Sequence, residues 1–234
     1  MRNLSRLVCR LVGAKRYYLP PPDAAANDAV VLVHGLIRRG RCMYYLGRRL
    51  NRAGYAVYVY DYPTTRKNIV AHSEDLLAFL DTVAAAKPGQ RLHIITHSLG
   101  SIITREALAR LEQRSDGVLK AENIGGIVML APPNQGSDMA RTVVRLLPLT
   151  RRWIKPLGEL SSEPDAYIHQ AAIPRQFDIG IIAARFDNKV AGPYTRLAGM
   201  KDHIVINSTH STIMYLPRTE KQILHFLRER CFYR

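Results

Sequence analysis

A serine stands at the centre of Thr96-His97-Ser98-Leu99-Gly100, between a short apolar run over residues 91–96 and a helix-patterned stretch from residue 99. A serine held on a sharp strand-to-helix turn presents its hydroxyl as a nucleophile. At neutral pH that hydroxyl attacks poorly alone. It needs a base within hydrogen-bond reach, a third group orienting the base, and donors for the oxyanion. Ser98 also has a plainer reading as the N-cap of the helix that begins at Leu99. The glycine usual two places before such a serine is replaced by Thr96, while Gly100 is retained.

Upstream, residues 29–36 read AVVLVHGL, a continuous apolar run of strand length that stops at His34-Gly35. Such runs are buried on both faces, as in a parallel sheet. With HG after an early strand and HSLG on a later one, the chain resembles the α/β-hydrolase superfamily, in particular bacterial lipase- and esterase-like serine hydrolases. The likeness runs from about Val30 to the last helical stretch. It takes in residues 54–63 and the loop Pro132-Pro133-Asn134-Gln135-Gly136-Ser137, which look like the matching parts of small bacterial lipase-like proteins.

The resemblance implies an oxyanion hole made by the backbone N–H groups of Leu36 and Leu99. It also implies the chain order serine, acid, histidine, with the acid after a late strand and the histidine on a loop before the final helix. Residues 177–184, FDIGIIAA, form that strand, and Asp187 lies in the turn after it. His210 precedes the helical spacing of Ile223, Leu224 and Leu227. The implied triad is Ser98, Asp187 and His210. Asp202 is the rival acid, close before His203; Asp61 precedes the serine and reads as a turn residue before Pro63.

The chain has 8 histidines, so the others need roles. His72, His169 and His225 lie in helical patterns with no chemical partner. His203 begins an apolar run, and His93 and His97 flank the serine strand. His97 reads as a packing neighbour of the nucleophile rather than its base.

The elements that must position these groups alternate. Strands are expected near residues 28–34, 55–60, 91–96, 124–131, 177–184 and 203–207, and helices near 41–53, 69–86, 99–113, 137–147 and 218–229. That is an α/β fold with a mostly parallel sheet covered by helices on both faces. At 234 residues and 47% hydrophobic content the chain buries one sizeable core. Residues 28–234 read as a single hydrolase domain, preceded by a basic segment and linker over residues 1–27 that includes Pro20-Pro21-Pro22. Prolines 148, 156 and 164 interrupt the helical pattern over residues 137–175. In the superfamily an insertion at this place commonly caps the acyl site. Its leucines, its arginines and Trp153, the only tryptophan, would suit an acyl chain with an anionic head; Trp153 is the expected substrate-binding residue. An ordinary amphipathic helix lying on the sheet is the other reading.

Charge is the second strong feature. With 34 basic against 19 acidic residues the formal net charge is +15. Residues 1–16 contain no acid and place Leu4, Leu7, Val8, Leu11 and Val12 on one helical face, a pattern suited to an anionic membrane surface. A terminal helix docked on the domain would look similar, and in a eukaryote the same start would resemble a mitochondrial presequence. Arg38, Arg39 and Arg41 follow the oxyanion strand, where they would steer an anionic substrate or simply form a solvated surface. Arg48, Arg49 and Arg52 lie on the next helix.

Together these features predict a serine hydrolase cleaving carboxylic esters of lipid-like or acyl-chain type, with no cofactor and no metal. A thioesterase, amidase or acyltransferase would use the same constellation. The competing reading is a basic membrane- or nucleic-acid-binding module on a vestigial hydrolase scaffold, although no nucleic-acid motif is present. No stretch is apolar for the length of a bilayer. Cys9, Cys42 and Cys231 are odd in number and widely spaced, as expected of reduced thiols in a cytoplasmic protein.

Overall fold

The computed structural model describes residues 15–19 and 28–234. Seven strands form one sheet in the order β1-β3-β2-β4-β5-β6-β7: β1 Lys15–Leu19, β2 Ala29–Val33, β3 Ala56–Asp61, β4 Leu92–His97, β5 Ile124–Leu130, β6 Ile179–Ala184 and β7 Asp202–Ile206. Strands β2 to β7 run parallel, and β1 pairs antiparallel to β3 from Lys15↔Asp61 to Leu19↔Val57.

The apolar runs that read as strands are central because only a strand covered on both faces can bury every residue. β2 and β6 are buried throughout, whereas edge strand β7 buries only its last residue. Alternation along β2 divides the core. Val31 and Val33 face Leu76, Leu80, Ile102 and Ile103 of α2 (Ile69–Ala86) and α3 (Leu99–Gln113). Val30 and Leu32 face the opposite layer, with Leu46 and Leu50 of α1 (Tyr44–Arg52) and Ile223 and Phe226 of α8 (Pro217–Glu229). Helix α2 starts where the Asn68 side chain accepts the Ala71 N–H at 2.8 Å.

Between β5 and β6 lie four helices: α4 (Asp138–Leu146), α5 (Thr150–Trp153), α6 (Lys155–Glu159) and α7 (Tyr167–Gln170). Arg105 of α3 anchors this segment. Its buried guanidinium donates to the carbonyls of Asn134, Ile168, Ala171 and Ala172 at 2.8–3.1 Å. Burial pulls its pKa down to about 10, although Glu106 opposes the shift, and the carbonyl oxygens replace the water it loses.

The expected elements all occur, with ends differing by at most three residues, and β1 is an addition. Residues 1–14 and the linker over 20–27 lie outside the described residues, so the amphipathic reading of the first 16 residues is untouched except at its end. There Lys15 and Arg16 belong to a strand of the main sheet, not to a helix or a separate N-terminal segment. Their partners are some 45 residues away, beyond the reach of local periodicity.

Candidate functional site

Ser98 directly follows β4 with φ 51° and ψ −124°, outside the comfortable region for a residue with a Cβ. Two backbone bonds hold it there. Its N–H donates to the Leu130 carbonyl at 3.0 Å, and its carbonyl accepts the Ser101 N–H at 2.8 Å. Conformations of this kind cost about 1–3 kcal/mol and persist where the surroundings over-determine them. The Ser98 side chain makes no helix-capping bond, which removes the N-cap reading. The missing first glycine is also accounted for, because Thr96 buries its side chain and pairs Oγ1 with Ser101 Oγ at 2.7 Å.

The Ser98 hydroxyl instead lies 3.0 Å from His210 Nε2. On the far side of the ring, Nδ1 lies 2.8 Å from Asp187 Oδ2, and both side chains are buried. With Nδ1–H donated to the carboxylate, Nε2 is the acceptor for the serine proton. Asp187 Oδ1 is occupied by the N–H groups of Lys189 and Val190 at 2.8 and 2.9 Å, which fixes the carboxylate and directs Oδ2 at the imidazole.

Each loop has its own clamp. Arg185 and Phe186 N–H donate to the Ile206 and Ser208 carbonyls, joining the acid turn to the end of β7. Thr209 and Thr212 exchange side-chain and backbone hydrogen bonds at 2.8–3.3 Å, closing the turn that carries His210. His97, directly before the serine, is fully buried and uses Nε2 on the His210 carbonyl at 2.9 Å. Burial first, and the neighbouring His210 second, push its pKa down to about 3, so it stays neutral and packs, as its position in the sequence implied.

Gly35 brings the turn that follows β2 against the serine. A Cβ there would lie 3.0 Å from Ser98 Cβ and 3.0 Å from His97 Nδ1. Gly100 faces the same turn from α3, where a Cβ would approach the His34 carbonyl to 2.6 Å. The Leu99 N–H is the first of its helix and therefore has no partner within it. Leu36, half-buried, is held by its neighbour Ile37, whose φ is 54° and whose N–H donates to Thr64 Oγ1 at 3.0 Å.

Several supporting residues carried no signal in the sequence. Asp61 Oδ1 lies 3.0 Å from His34 Nε2 and accepts the Gly40 N–H at 2.8 Å, so the residue that read as a turn former braces the loop that follows β2. Tyr62 stacks on His34 at 4.5 Å and donates its hydroxyl to the His34 carbonyl at 2.8 Å. Arg38 reaches Ser211 Oγ at 2.7 Å, next to His210. These partners are 21 to 173 residues apart, and nothing local announces them.

The rival residues are placed elsewhere. Asp202 begins β7, at the opposite end of the sheet from Ser98, and is engaged by the Phe232 N–H and Arg234. Burial raises its pKa, but those bonds and that of its neighbour His203 hold it below the usual carboxylate value. His93 sits at that same end against Asp28, His203 pairs with Thr195, and His225 lies on α8. Trp153, expected to bind substrate, is 76% exposed on α5. Short α5 follows the Pro148 break, so the ring is carried away from the buried stripe of α4, which consists of Ala140 and Val144.

With the geometry in place, comparison with known proteins assigns the family. A model of the alpha/beta hydrolase family matches residues 30–215, and the chain belongs to that family. The probable esterase PIR7A of Oryza sativa subsp. indica is 29% identical over 124 residues, which are 50% of this chain and 46% of that protein. The aligned part thus spans about half of the curated relative. The lipase BlEst2 of Bacillus licheniformis, in mature form, superposes with a TM-score of 0.74 at 15% identity, covering 92% of this chain and 98% of that one. The monoacylglycerol lipase of Paleococcus ferrophilus gives 0.63 at 18% identity, over 93% and 99% of the two chains. At such identities the solved structures speak for the fold alone. The chain is thus an α/β hydrolase, similar to esterases and lipases.

Proposed function

We propose that this protein hydrolyses carboxylic esters through Ser98, His210 and Asp187, without a cofactor. The observation that carries the reading is the chain of contacts from Ser98 Oγ to His210 Nε2 at 3.0 Å and from Nδ1 to Asp187 Oδ2 at 2.8 Å, assembled from three distant segments. Ser98 Oγ attacks the ester carbonyl carbon as its proton passes to His210 Nε2. The carbonyl oxygen gains charge and accepts from the N–H groups of Leu36 and Leu99. The tetrahedral adduct then collapses, breaking the bond to the alcohol oxygen, which leaves with the proton from His210. Water attacks the acyl-serine by the same route in reverse order: His210 takes its proton, the acid is released and Ser98 regains its hydrogen. Asp187 holds the imidazole tautomer and stabilises the cation formed midway.

The substrate class follows from the neighbourhood. Arg38 and Lys189 flank the paired histidines 97 and 210 closely enough for both to disfavour protonation of His97. They favour an acyl ester with an anionic group, and the segment over residues 137–175 serves as its cap. The first 16 residues are a further proposed contact with anionic lipid.

The test is labelling with a fluorophosphonate probe, followed by hydrolysis of p-nitrophenyl esters of increasing acyl length. Wild type should label and hydrolyse, and Ser98→Ala should do neither. A folded protein with an unreactive Ser98 would overturn the reading in favour of a binding role. Flat rates from acetyl to long acyl would remove the acyl-chain preference, and a thioester series run in parallel decides between ester and thioester.

A further inference from the structure

Helix α4 runs into a turn whose large apolar side chains face solvent. Leu146, Leu147, Leu149 and Trp153 are 72, 61, 75 and 76% exposed, four within eight residues. The buried residues of the helix are Ala140 and Val144, so its contact with the core ends before these four side chains. Arg145, Arg152 and Lys155 are exposed among them, and residues 139–158 contain no aspartate or glutamate.

Two hydrogen bonds fix where this turn lies. Ser137 Oγ, at the base of α4, donates to the Lys189 carbonyl at 2.7 Å, two residues beyond Asp187. Lys155 N–H donates to the Thr65 carbonyl at 3.2 Å, and the adjacent Thr64 hydroxyl holds the Ile37 N–H. Residues 137–155 therefore bridge from the acid loop to the oxyanion-side loop, at the end of the sheet where Ser98 sits. Ile37 and Phe186, on those two loops, are themselves 70 and 64% exposed.

Apolar side chains interleaved with cations that form no ion pair among the described residues, in a stretch free of acids, match one environment well. In an anionic bilayer surface, leucines enter the acyl boundary, an indole sits at the headgroup level and guanidinium groups stay with the phosphates. The net charge of +15 draws the whole chain towards such a surface. We propose that residues 146–153 are a docking surface for an anionic phospholipid bilayer, turning the mouth of the Ser98 site towards it. The proposal does not depend on the ester chemistry, and it concerns a different part of the chain from residues 1–16.

Because Trp153 is the only tryptophan, its fluorescence reports this surface alone. The full chain is titrated with vesicles of phosphatidylcholine and with vesicles of phosphatidylcholine mixed with phosphatidylglycerol. Emission should move to shorter wavelength with the anionic vesicles, less with the neutral ones, and return as salt is added. Leu146→Ser with Leu149→Ser should weaken binding roughly tenfold or more, and Arg145→Gln with Arg152→Gln roughly fivefold per side chain. Circular dichroism of these surface variants should stay at wild-type level, which separates lost docking from lost folding; fluorophosphonate labelling of the wild type tests the hydrolase reading by itself, so either can fail without the other. Three outcomes would overturn the proposal. The first is no binding. The second is co-sedimentation with vesicles while Trp153 emission stays unchanged, which would assign the contact to another part of the chain. The third is emission already at short wavelength without vesicles, together with a dimer in sedimentation velocity, which would assign the turn to a second copy.

Discussion

Two histidine–aspartate pairs lie at opposite ends of the same sheet, and their difference shows what makes such a pair reactive. His210 and Asp187 meet at 2.8 Å at the C-terminal end of the strands; His93 and Asp28 meet at 3.2 Å at the other end. Both imidazoles are buried. What differs is the second nitrogen. In His93, Nδ1 accepts the Gly126 N–H at 2.8 Å, so the ring is fully engaged as a tie between strands β4 and β5 and the residue before β2. In His210, Nε2 faces a hydroxyl on a residue with φ 51°. A pair whose spare nitrogen is spent on backbone is a brace, and one whose spare nitrogen meets a hydroxyl is equipped to move a proton.

Removing the two pairs in turn gives the largest contrast. Ser98→Ala and His210→Ala should each lower kcat on a p-nitrophenyl ester about 10⁶-fold, and Asp187→Ala about 10⁴-fold. His93→Phe should leave kcat within about threefold while lowering stability by about 1–3 kcal/mol, because the Gly126 N–H and Asp28 lose their partner. Steady-state kinetics beside urea denaturation measures both. A His93 variant that lost turnover while still folded would erase the distinction.

Gly35→Ala probes the contact that separates the two ends. The added methyl would press on Ser98 Cβ, His97 Nδ1 and, at 3.2 Å, the His97 carbonyl, moving the turn that offers the Leu36 N–H. Displacements of this size should lower kcat about 10- to 100-fold, with the change in KM much smaller. Equal losses in a Gly192→Ala control, where a Cβ meets nothing within 4 Å, would mean that the turn is not the cause.

Much of this arrangement was legible in the sequence, for identifiable reasons. The apolar runs of β2, β4, β5 and β6 are continuous because both faces are covered, and a strand of that kind needs no partner to be recognised. Ser98 stood out through its neighbours, and Asp187 and His210 followed from the order of residues in the α/β-hydrolase family. The brace residues were hidden. Asp61 is paired with His34, Thr64 with Ile37 and Arg105 with four carbonyls, and none of these partners is near in sequence. Strand β1 was hidden in the same way, since its partner strand β3 lies about 40 residues further along the chain. The exposure of Trp153 was not legible either, because composition marks a residue as apolar without saying which way its helix faces.

Buried histidines outside the His210–Asp187 pair should make stability depend on pH. Burial, which outweighs the other influences, lowers the pKa of His97 to about 3 and of His72 to about 4. His72 is fully buried, and neither ring nitrogen makes a well-formed hydrogen bond among the described residues. Unfolding restores the ordinary value near 6.5, so the unfolded chain binds more protons below that pH. The stabilisation is complete above about pH 6.5 and is lost as pH falls towards the folded values, by about 2 kcal/mol for each ring at pH 5. Urea midpoints measured between pH 7.5 and 5 should record the loss. His72→Phe, whose ring keeps the edge contact with Tyr62 at 5.0 Å, should remove about half of it. An unchanged slope in that variant would shift the cause to other groups.

The smallest effect separates the two carboxylates of the paired histidines. Asp28 is partly exposed and also accepts the Arg91 N–H at 3.0 Å, so Asp28→Asn retains an acceptor oxygen in a place where water can reach. Its expected cost is about 1 kcal/mol in urea unfolding, with kcat unchanged. Asp187→Asn meets the opposite conditions. Its carboxylate is buried, both oxygens are in use, and the imidazole must become a cation midway through the reaction. An amide that turns its NH₂ towards Nδ1 forces the proton onto Nε2, which then has nothing to accept from Ser98. The same one-atom change should therefore register almost wholly as stability at residue 28 and almost wholly as turnover at residue 187.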